Sequence, residues 1–275
     1  TDEPDAPGRT RREYCYNILV SGLDDDNGGS DTNILVRFDV PNKRIDLVSL
    51  PRDTLLHNEY RNNKLNFAYA KGGTELLMEQ IENLLGIPVD FYVTVNLKGF
   101  IALVDQIDGV DFDIPINMDY DDPYQDLHIH FTKGPRHLNG QEAMEVVRFR
   151  HNNDGTGYGT EDIGRIGTQQ AFLKAVAKQL LQIGNVKNIP ALVDIFYTYV
   201  KTDLTTGNLV WLGNEALNIG TENIHFATLP GDGSGYYNKQ SVYVLDAQAT
   251  CDLVNEALNP YNEALTLEDM DILVP

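Results

Sequence analysis

The chain has 275 residues, 42% of them hydrophobic, which is enough to bury the core of one large domain, the alternative we favour, or of two small ones. Its 41 acidic and 21 basic residues give a formal net charge of −20, which argues against nucleic acid or an anionic membrane surface as a general partner. No apolar stretch approaches the ~18 residues needed to span a bilayer, so we expect the chain as given to be soluble, with an upstream anchor left open.

The first hundred residues alternate between strand and helix patterns. Apolar and polar residues alternate over 17–23, 33–40 and 44–50, which predicts three strands, the last two joined as a hairpin. A helix is predicted over 74–85, with Thr74 as its N-cap and Gly86 beyond its end. The pattern then predicts a strand over 90–96, a helix over 97–107 and a strand over 110–116.

The rest of the chain is predicted to be richer in helix. A short helix after Asn139 is expected to run into a strand that holds Arg148 and Arg150, and residues 164–258 are expected to be mainly helical with one strand at 223–229. The mixture predicts an α/β fold, a single three-layer domain with a mixed central β-sheet flanked by helices. We place this domain at 15–258, between an N-terminal arm over 1–14 and a C-terminal tail over 259–275.

Two neighbouring segments carry charge at one predicted sheet edge. The loop between the first two strands holds four carboxylates, at Asp24, Asp25, Asp26 and Asp31. Carboxylates on such a loop suit Mg²⁺, although an acidic solvated turn is the commoner structure when the loop is considered alone. Arg52 and Asp53 follow the third strand, and because an exposed ion pair contributes only ~0–1 kcal/mol, stability gives little reason for them.

Arginines dominate the other candidate segments. Arg148 and Arg150 lie two apart on the predicted strand, so both guanidinium groups would point to one face, where two forks can hold the two phosphates of a pyrophosphate. The alternative, a polar outer sheet face, is disfavoured because Phe149 implies packing on the other side. All eleven arginines lie at or before Arg165. This asymmetry indicates either a local anion site or chance.

The pattern of residues 161–181 predicts a helix whose apolar stripe also includes charged residues. That stripe consists of Ile166, Leu173, Val176, Ala177 and Leu180, and its N-terminal end also contains Asp162, Arg165 and Gln169. Charges on an inward face are costly unless they meet partners, and a helix N-terminus attracts anions. The pattern therefore predicts a site here, with Arg148, Arg150 and the Asp31 loop as its partners.

The cysteines and two histidines allow simpler interpretations. Cys15 and Cys251 either form a disulfide that fastens the N-terminal arm to a C-terminal helix or are two unrelated buried thiols. His128 and His130 would share one face of a strand. Two histidines without a third ligand are usually structural, and we assign them no site.

Several motifs together carry a family resemblance. The order SGLDDDNGGSDT, SLPRDT, KLNFAYAKGG, HLNGQEAMEVVRFRH and DIGRIGTQQ, over roughly residues 15–182, resembles the LytR-CpsA-Psr family of Gram-positive cell-wall enzymes. The resemblance implies a Mg²⁺-dependent phosphotransferase that moves an anionic glycopolymer, such as wall teichoic acid or capsule, from a polyprenyl pyrophosphate carrier to a peptidoglycan hydroxyl. It also implies a location outside the cell and an N-terminal membrane anchor that is not in this chain.

The resemblance also implies residue roles. Asp24 and Asp31 would hold Mg²⁺ and are the candidate bases, and Asp53 and Asp162 would orient arginines. Contacts to the pyrophosphate would come from Arg52, Arg148, Arg150, Arg165 and Gln169. The chain departs from the family pattern at Gly29 and Thr168, where arginine is common, and Lys64 or Lys71 is the alternative source of that charge. A polyprenyl-pyrophosphate hydrolase and a non-catalytic regulatory or binding module of the cell envelope remain open.

Overall fold

A computed structural model describes residues 8–23, 29–124, 126–158, 161–183 and 196–275. Within 161–183 it describes the side chains of residues 164 and 167–180. Three predicted site residues therefore lie outside the described residues, Asp24 entirely and Asp162 and Arg165 in their side chains. The chain divides into two compact units. We call residues 1–96 with 201–275 the sheet unit and residues 97–200 the hairpin unit, and describe each by itself.

Strands and helices follow one another closely up to residue 148. The strands are β1 (Cys15–Leu23), β2 (Ser30–Asp39), β3 (Arg44–Leu50), β4 (Phe91–Asn96), β5 (Val110–Ile114), β6 (Met118–Asp122), β7 (Leu127–Phe131) and β8 (Gly134–Leu138). The helices are α1 (Leu65–Leu85), α2 (Leu97–Gln106) and α3 (Gly140–Arg148).

The rest of the chain contains more strand than its sequence predicts. Its helices are α4 (Glu161–Ile183), α5 (Thr206–Ile219) and α6 (Ala247–Ala257), and its strands are β9 (Val200–Thr202), β10 (Ile224–Thr228), β11 (Gly231–Tyr237) and β12 (Gln240–Leu245). The predicted strand at 223–229 is confirmed as β10, but the prediction that it is the one strand of this region is wrong, because β11 and β12 pair as an antiparallel hairpin. No helix among the described residues combines the length and hydropathy needed to cross a membrane.

The sheet unit is built on a mixed six-stranded sheet in the order β10-β3-β2-β1-β4-β9. β2 pairs antiparallel with both β1 and β3, whereas β4 runs parallel to β1 and β10 runs parallel to β3. The predicted hairpin of the second and third strands is confirmed. One sheet face, with Leu19, Leu35 and Val48, packs on α1 and α6. The other, with Ile18, packs on α5 around Leu212. The predicted mixed central sheet flanked by helices is thus confirmed.

Helix α1 has a locally determined interruption and end. It begins at Leu65, earlier than predicted, and its backbone is non-helical at Gly72 and Gly73, so the predicted helix from Thr74 is its second segment. It ends at Gly86, whose φ is 66°. A Cβ there would lie 2.3 Å from the carbonyl oxygen of Asp269, so the close approach of the C-terminal segment requires glycine.

The hairpin unit pairs short strands and packs them on helices. β5 pairs antiparallel with β8, and β6 pairs antiparallel with β7. Its core includes Phe112, Phe149, Phe172 and Val176. Asn139 caps α3 as predicted, since its side chain accepts a hydrogen bond from the backbone N–H of Glu142 and the Glu142 carboxylate accepts one from the N–H of Asn139.

Two predictions about the hairpin unit are wrong. Arg148 is the last residue of α3 and Arg150 lies outside any strand, so the argument that strand alternation directs both to one face fails. The capping box starts a helix that continues through the alternating VVR stretch. In α4 the most buried apolar side chains that the structure describes are Phe172 and Val176, 0% and 9% exposed, and Leu173 is only half-buried. The buried face therefore shares Val176 with the predicted stripe but is centred on Phe172, which the stripe does not include.

Five of the eleven arginines have a structural role in the sheet unit. Ion pairs with carboxylates of the sheet unit hold five arginines: Arg9 with Asp269, Arg11 with Asp90, Arg12 with Asp39, Arg37 with Asp46, and Arg44 with Asp46 and Glu256. Several of these pairs attach the N-terminal arm.

Cys15 and Cys251 are both buried free thiols, so the disulfide alternative is wrong. Burial raises the pKa of Cys15 to about 11.

Candidate functional site

The candidate site lies at one edge of the six-stranded sheet. Because β1, β3 and β4 run in the same direction, their carboxyl ends meet at this edge together with the start of β2. Asp31 is the second residue of β2, and Arg52 comes two residues after the end of β3. Ligands of α/β sheets bind outside the carboxyl ends of strands. The topology therefore gathers at this edge residues that are distant in sequence.

Four of these residues form a chain of alternating charge, which we call the edge cluster: Asp31, Arg52, Asp53 and Lys64. The Nη1 of Arg52 donates a hydrogen bond to Asp31 Oδ1. Arg52 Nε lies 3.6 Å from Asp53 Oδ1, and Lys64 Nζ lies 3.3 Å from Asp53 Oδ2. Each side chain is between 20% and 39% exposed, so the edge cluster is partly dry yet accessible to a ligand.

Backbone hydrogen bonds from two other elements hold the turn that carries Arg52. The first turn of α1 contributes the N–H of Asn66, which donates to the carbonyl of Arg52 at 2.9 Å. β12 contributes the N–H of Tyr243, which donates to the carbonyl of Asp53 at 2.8 Å. The hairpin that the sequence does not predict is therefore part of the support of the site. Its segment GDGSGYY, rich in glycine, gives only a weak strand signal.

The donor set of the edge cluster suits a hard cation. Asp31 and Asp53 offer carboxylate oxygens, the ligands that Mg²⁺ prefers. The Oδ1 of Asp53 is buried and accepts no hydrogen bond from any residue that the structure describes. The hydroxyl of Ser30, next to Asp31, is likewise buried and has no hydrogen-bond partner in the described ranges. Buried polar atoms are normally satisfied, so these oxygens fit a site that an ion or ordered water completes.

The hairpin unit places the remaining predicted residues near the end of α3. Arg148 is half-buried, Arg150 is exposed, and Phe149 between them is fully buried. The side-chain amide of Gln169 on α4 donates a hydrogen bond to the carbonyl of Val147 at 3.4 Å. Val147 directly precedes Arg148 in the chain. The convergence of these arginines with Arg52 stays a prediction.

The two departures from the family pattern differ in their surroundings. Among the residues that the structure describes, the nearest neighbour of a Cβ added at Gly29 would be the carbonyl oxygen of Asn66, at 3.8 Å, which leaves space for a side chain beside the Arg52 turn. Thr168 is only 5% exposed, and its hydroxyl donates to the carbonyl of Gly164, so arginine has no room there without rearrangement. Of the two lysines considered, Lys64 belongs to the edge cluster, whereas Lys71 is exposed.

A polar cavity of about 400 Å³ lies elsewhere in the sheet unit. Its lining includes Arg12, Arg37 and Arg44 at the far end of β2 and β3, about 20 Å from Asp31 along the strand. These arginines pair with Asp39 and Asp46. The cavity contains none of the residues predicted to bind the pyrophosphate, so it is distinct from the candidate site.

The fold and the edge cluster define an α/β protein with a charged site at the carboxyl edge of its sheet. The sequence model of the LytR_cpsA_psr family matches residues 6–259, nearly the whole chain. The chain therefore belongs to the LytR-CpsA-Psr family, as its motifs predict.

Curated relatives are about a third identical to this chain over the aligned segments. It is 32% identical over 248 residues to the polyisoprenyl-teichoic acid–peptidoglycan teichoic acid transferase TagV of Bacillus subtilis, covering 86% of this chain and 61% of TagV. It is 32% identical to TagU of Bacillus cereus, which has the same transferase name, covering 87% of this chain and 76% of TagU. It is 30% identical to the regulatory protein MsrR of Staphylococcus aureus, covering 81% and 67%. The chain thus spans less than two thirds of TagV.

Solved structures have the same fold. The crystal structure of B. subtilis TagV matches with a TM-score of 0.75 and 27% identity, covering 96% of this chain and 100% of that one. A LytR-Csp2A-Psr enzyme from Actinomyces oris matches with a TM-score of 0.74 and 20% identity, covering 90% and 91%. The second likeness concerns the fold alone.

Proposed function

We propose that this protein is a phosphotransferase that moves an anionic glycopolymer from a polyprenyl pyrophosphate carrier to a hydroxyl of peptidoglycan. The acceptor oxygen attacks the phosphorus that bears the glycan, the bond to polyprenyl phosphate breaks, and the hydroxyl proton is lost. The names of TagV and TagU state a transfer of this kind for those relatives. The observation that carries the proposal is the edge cluster, in which Arg52 lies between two carboxylates at the carboxyl ends of the strands.

The residues of the chain supply positioning and charge, which are the main requirements of phosphoryl transfer. Arg52 would neutralise charge on the pyrophosphate, while Asp53, held by Lys64, orients its guanidinium group. Asp24 or Asp31 would take the proton of the acceptor. Further contacts to the pyrophosphate are proposed for Arg148, Arg150, Arg165 and Gln169, with Asp162 orienting an arginine.

We propose Mg²⁺ as the cofactor, with Asp24 and Asp31 as its protein ligands. A bound Mg²⁺ would neutralise part of the charge of the pyrophosphate oxygens. The buried Ser30 hydroxyl next to Asp31, which has no hydrogen-bond partner in the described ranges, supports a cation at this edge.

The cellular setting is part of the proposal. Polymer and acceptor place the protein outside the cytoplasmic membrane, at the cell surface, and we propose that an N-terminal anchor holds the full-length protein there. Wall teichoic acid and capsule polymers are the candidate substrates. Their shared chemistry is an anionic glycan attached to a polyprenyl pyrophosphate.

An assay with lipid-linked glycopolymer tests the proposal. The chain is incubated with carrier substrate and Mg²⁺, with and without purified peptidoglycan, and polyprenyl phosphate and polymer-linked peptidoglycan are measured. Polymer on peptidoglycan supports the transferase. Release of polyprenyl phosphate at the same rate without acceptor would identify a hydrolase. The relative MsrR is named a regulatory protein, and binding of the carrier with no product in either reaction would favour such a role.

A further inference from the structure

The hairpin of β6 and β7 presents a row of histidine and aspartate side chains on one face. In its register Asp121 lies opposite His128, and Asp119 lies opposite His130. Side chains two apart on a strand share a face, so all four project from the same side. The alternate residues Leu127, Ile129 and Phe131 are at most 6% exposed. Because these apolar side chains are buried, the four polar side chains on the opposite face point to solvent.

Hydrogen bonds with Asn152 and Asn153 also support the β6 strand of the hairpin. The backbone N–H of Asp119 donates to the side-chain oxygen of Asn152 at 2.7 Å, and the N–H of Asp121 donates to that of Asn153 at 3.2 Å. The N–H of Asn153 donates back to the carbonyl of Asp119 at 3.0 Å. Packing below and hydrogen bonds at the side make the hairpin a rigid platform, which a precise ligand set requires.

Three side chains on this platform converge on one point. Asp121, His128 and His130 each offer a ligand atom within 4.8 Å of the other two. Asp121 Oδ1 lies 2.5 Å from His128 Nδ1 and 3.4 Å from His130 Nε2. Two ligands of a tetrahedral zinc ion with bonds of about 2.0–2.1 Å are separated by about 3.3 Å. The His130 distance has this value, and the His128 distance reaches it when a metal ion replaces the shared proton.

A fourth side chain orients one of the histidines. Asp119 Oδ1 lies 2.8 Å from His130 Nδ1, on the side of the ring away from Asp121. Histidines that bind a metal through one nitrogen usually donate the other N–H to a carboxylate, which fixes the tautomer and ring orientation. Asp119 and His130 already have this arrangement.

From this geometry we propose that Asp121, His128 and His130 form a surface site for a divalent transition-metal ion of the zinc class. Imidazole nitrogen favours Zn²⁺ and similar ions over Mg²⁺, so the site is chemically distinct from the carboxylates of the edge cluster. Two histidines and one carboxylate leave a position open, and the histidines are 54% and 56% exposed, so water or an external ligand completes the coordination. Binding displaces the proton shared by Asp121 and His128 into solvent.

Calorimetric titration of Zn²⁺ into the tag-free full chain, after removal of metals, tests the proposal without any measurement of transferase activity. We expect one ion per chain and Co²⁺ absorption bands typical of a tetrahedral site. His130→Gln and Asp121→Asn should each weaken binding at least ~100-fold, and Asp119→Asn about tenfold because it removes only the orienting carboxylate.

The matched control is His137→Gln. His137 faces Asp111 across the antiparallel β5–β8 pair, with Nδ1 2.7 Å from the carboxylate, but it has no second histidine beside it on that strand. This variant should bind Zn²⁺ as the wild type does, and thermal melts should show all variants folded. The proposal is overturned if His137→Gln loses as much affinity as His130→Gln. It is equally overturned if the ligand variants keep wild-type affinity or if the wild type takes up no ion at about 1 mM Zn²⁺.

Discussion

Replacing Arg52 with alanine should remove a large part of the affinity for pyrophosphate. The guanidinium group is 31% exposed and is held by Asp31 and Asp53, so it is preorganised in a partly dry site. A charge-assisted hydrogen bond typically contributes ~1.5–3 kcal/mol, which corresponds to a loss of about 10- to 150-fold in Kd. Calorimetry with inorganic pyrophosphate and Mg²⁺ measures this loss directly.

Arg44→Ala is the matched control for this experiment. Arg44 begins β3, is also 31% exposed, and pairs with Asp46 and Glu256 at the opposite end of the strand. Each variant loses one positive charge, and both should stay folded. The partly exposed pairs of Arg52 contribute ~0–1 kcal/mol each, and the buried Asp46 keeps Arg37 as a partner when Arg44 is removed. Only Arg52→Ala should lose affinity. Equal losses in the two variants would show that net charge, and not the edge cluster, determines binding, and would refute the reasoning.

Three further outcomes are expected. Gly29→Arg should tighten pyrophosphate binding about tenfold or more, because a side chain can leave this position beside Arg52; unchanged affinity, with a loss in Lys64→Ala, would instead assign the charge to Lys64. Mg²⁺ binding measured by calorimetry should depend on pyrophosphate and disappear in Asp31→Ala, and tight binding in that variant would place the metal elsewhere. The hydrogen bond from Arg9 lowers the pKa of Asp269, so its stabilisation is present above the ordinary pKa of about 3.8 and lost as pH falls through the lowered value. Urea midpoints below about pH 4 should therefore fall more steeply in the wild type than in Asp269→Asn, and equal slopes would contradict the assignment.

Short-range signals predicted several elements well. The hairpin of β2 and β3 follows from alternation on both sides of a turn, and the end of α1 follows from Gly86, whose positive φ is a property of the local chain. The start of α3 follows from the reciprocal hydrogen bonds of Asn139 and Glu142, three residues apart. Each of these features depends on neighbours in sequence, which is why a single sequence suffices.

The errors arise where a local pattern fits two structures. The stretch VVRFR alternates as a strand does, yet the helix that begins at Asn139 continues to Arg148 because Val146 packs in the hairpin unit. In α4 a one-residue difference turns the helix by about 100°, so Phe172, surrounded by Phe100 and Phe112, determines which face is buried. Burial of this kind depends on partners 60 or more residues away in sequence.

By itself the sequence determined the family, the strand and helix alternation of its first half, and the residue types of the candidate site. Tertiary structure alone decided that Arg52 lies between Asp31 and Asp53, that Tyr243 on an unpredicted hairpin supports their turn, and that Asp121 faces two histidines. The physical reason is that a motif specifies which groups are available within a few residues. Strand pairing and register bring groups from distant segments to within hydrogen-bonding distance, and the packing of the whole chain determines that pairing.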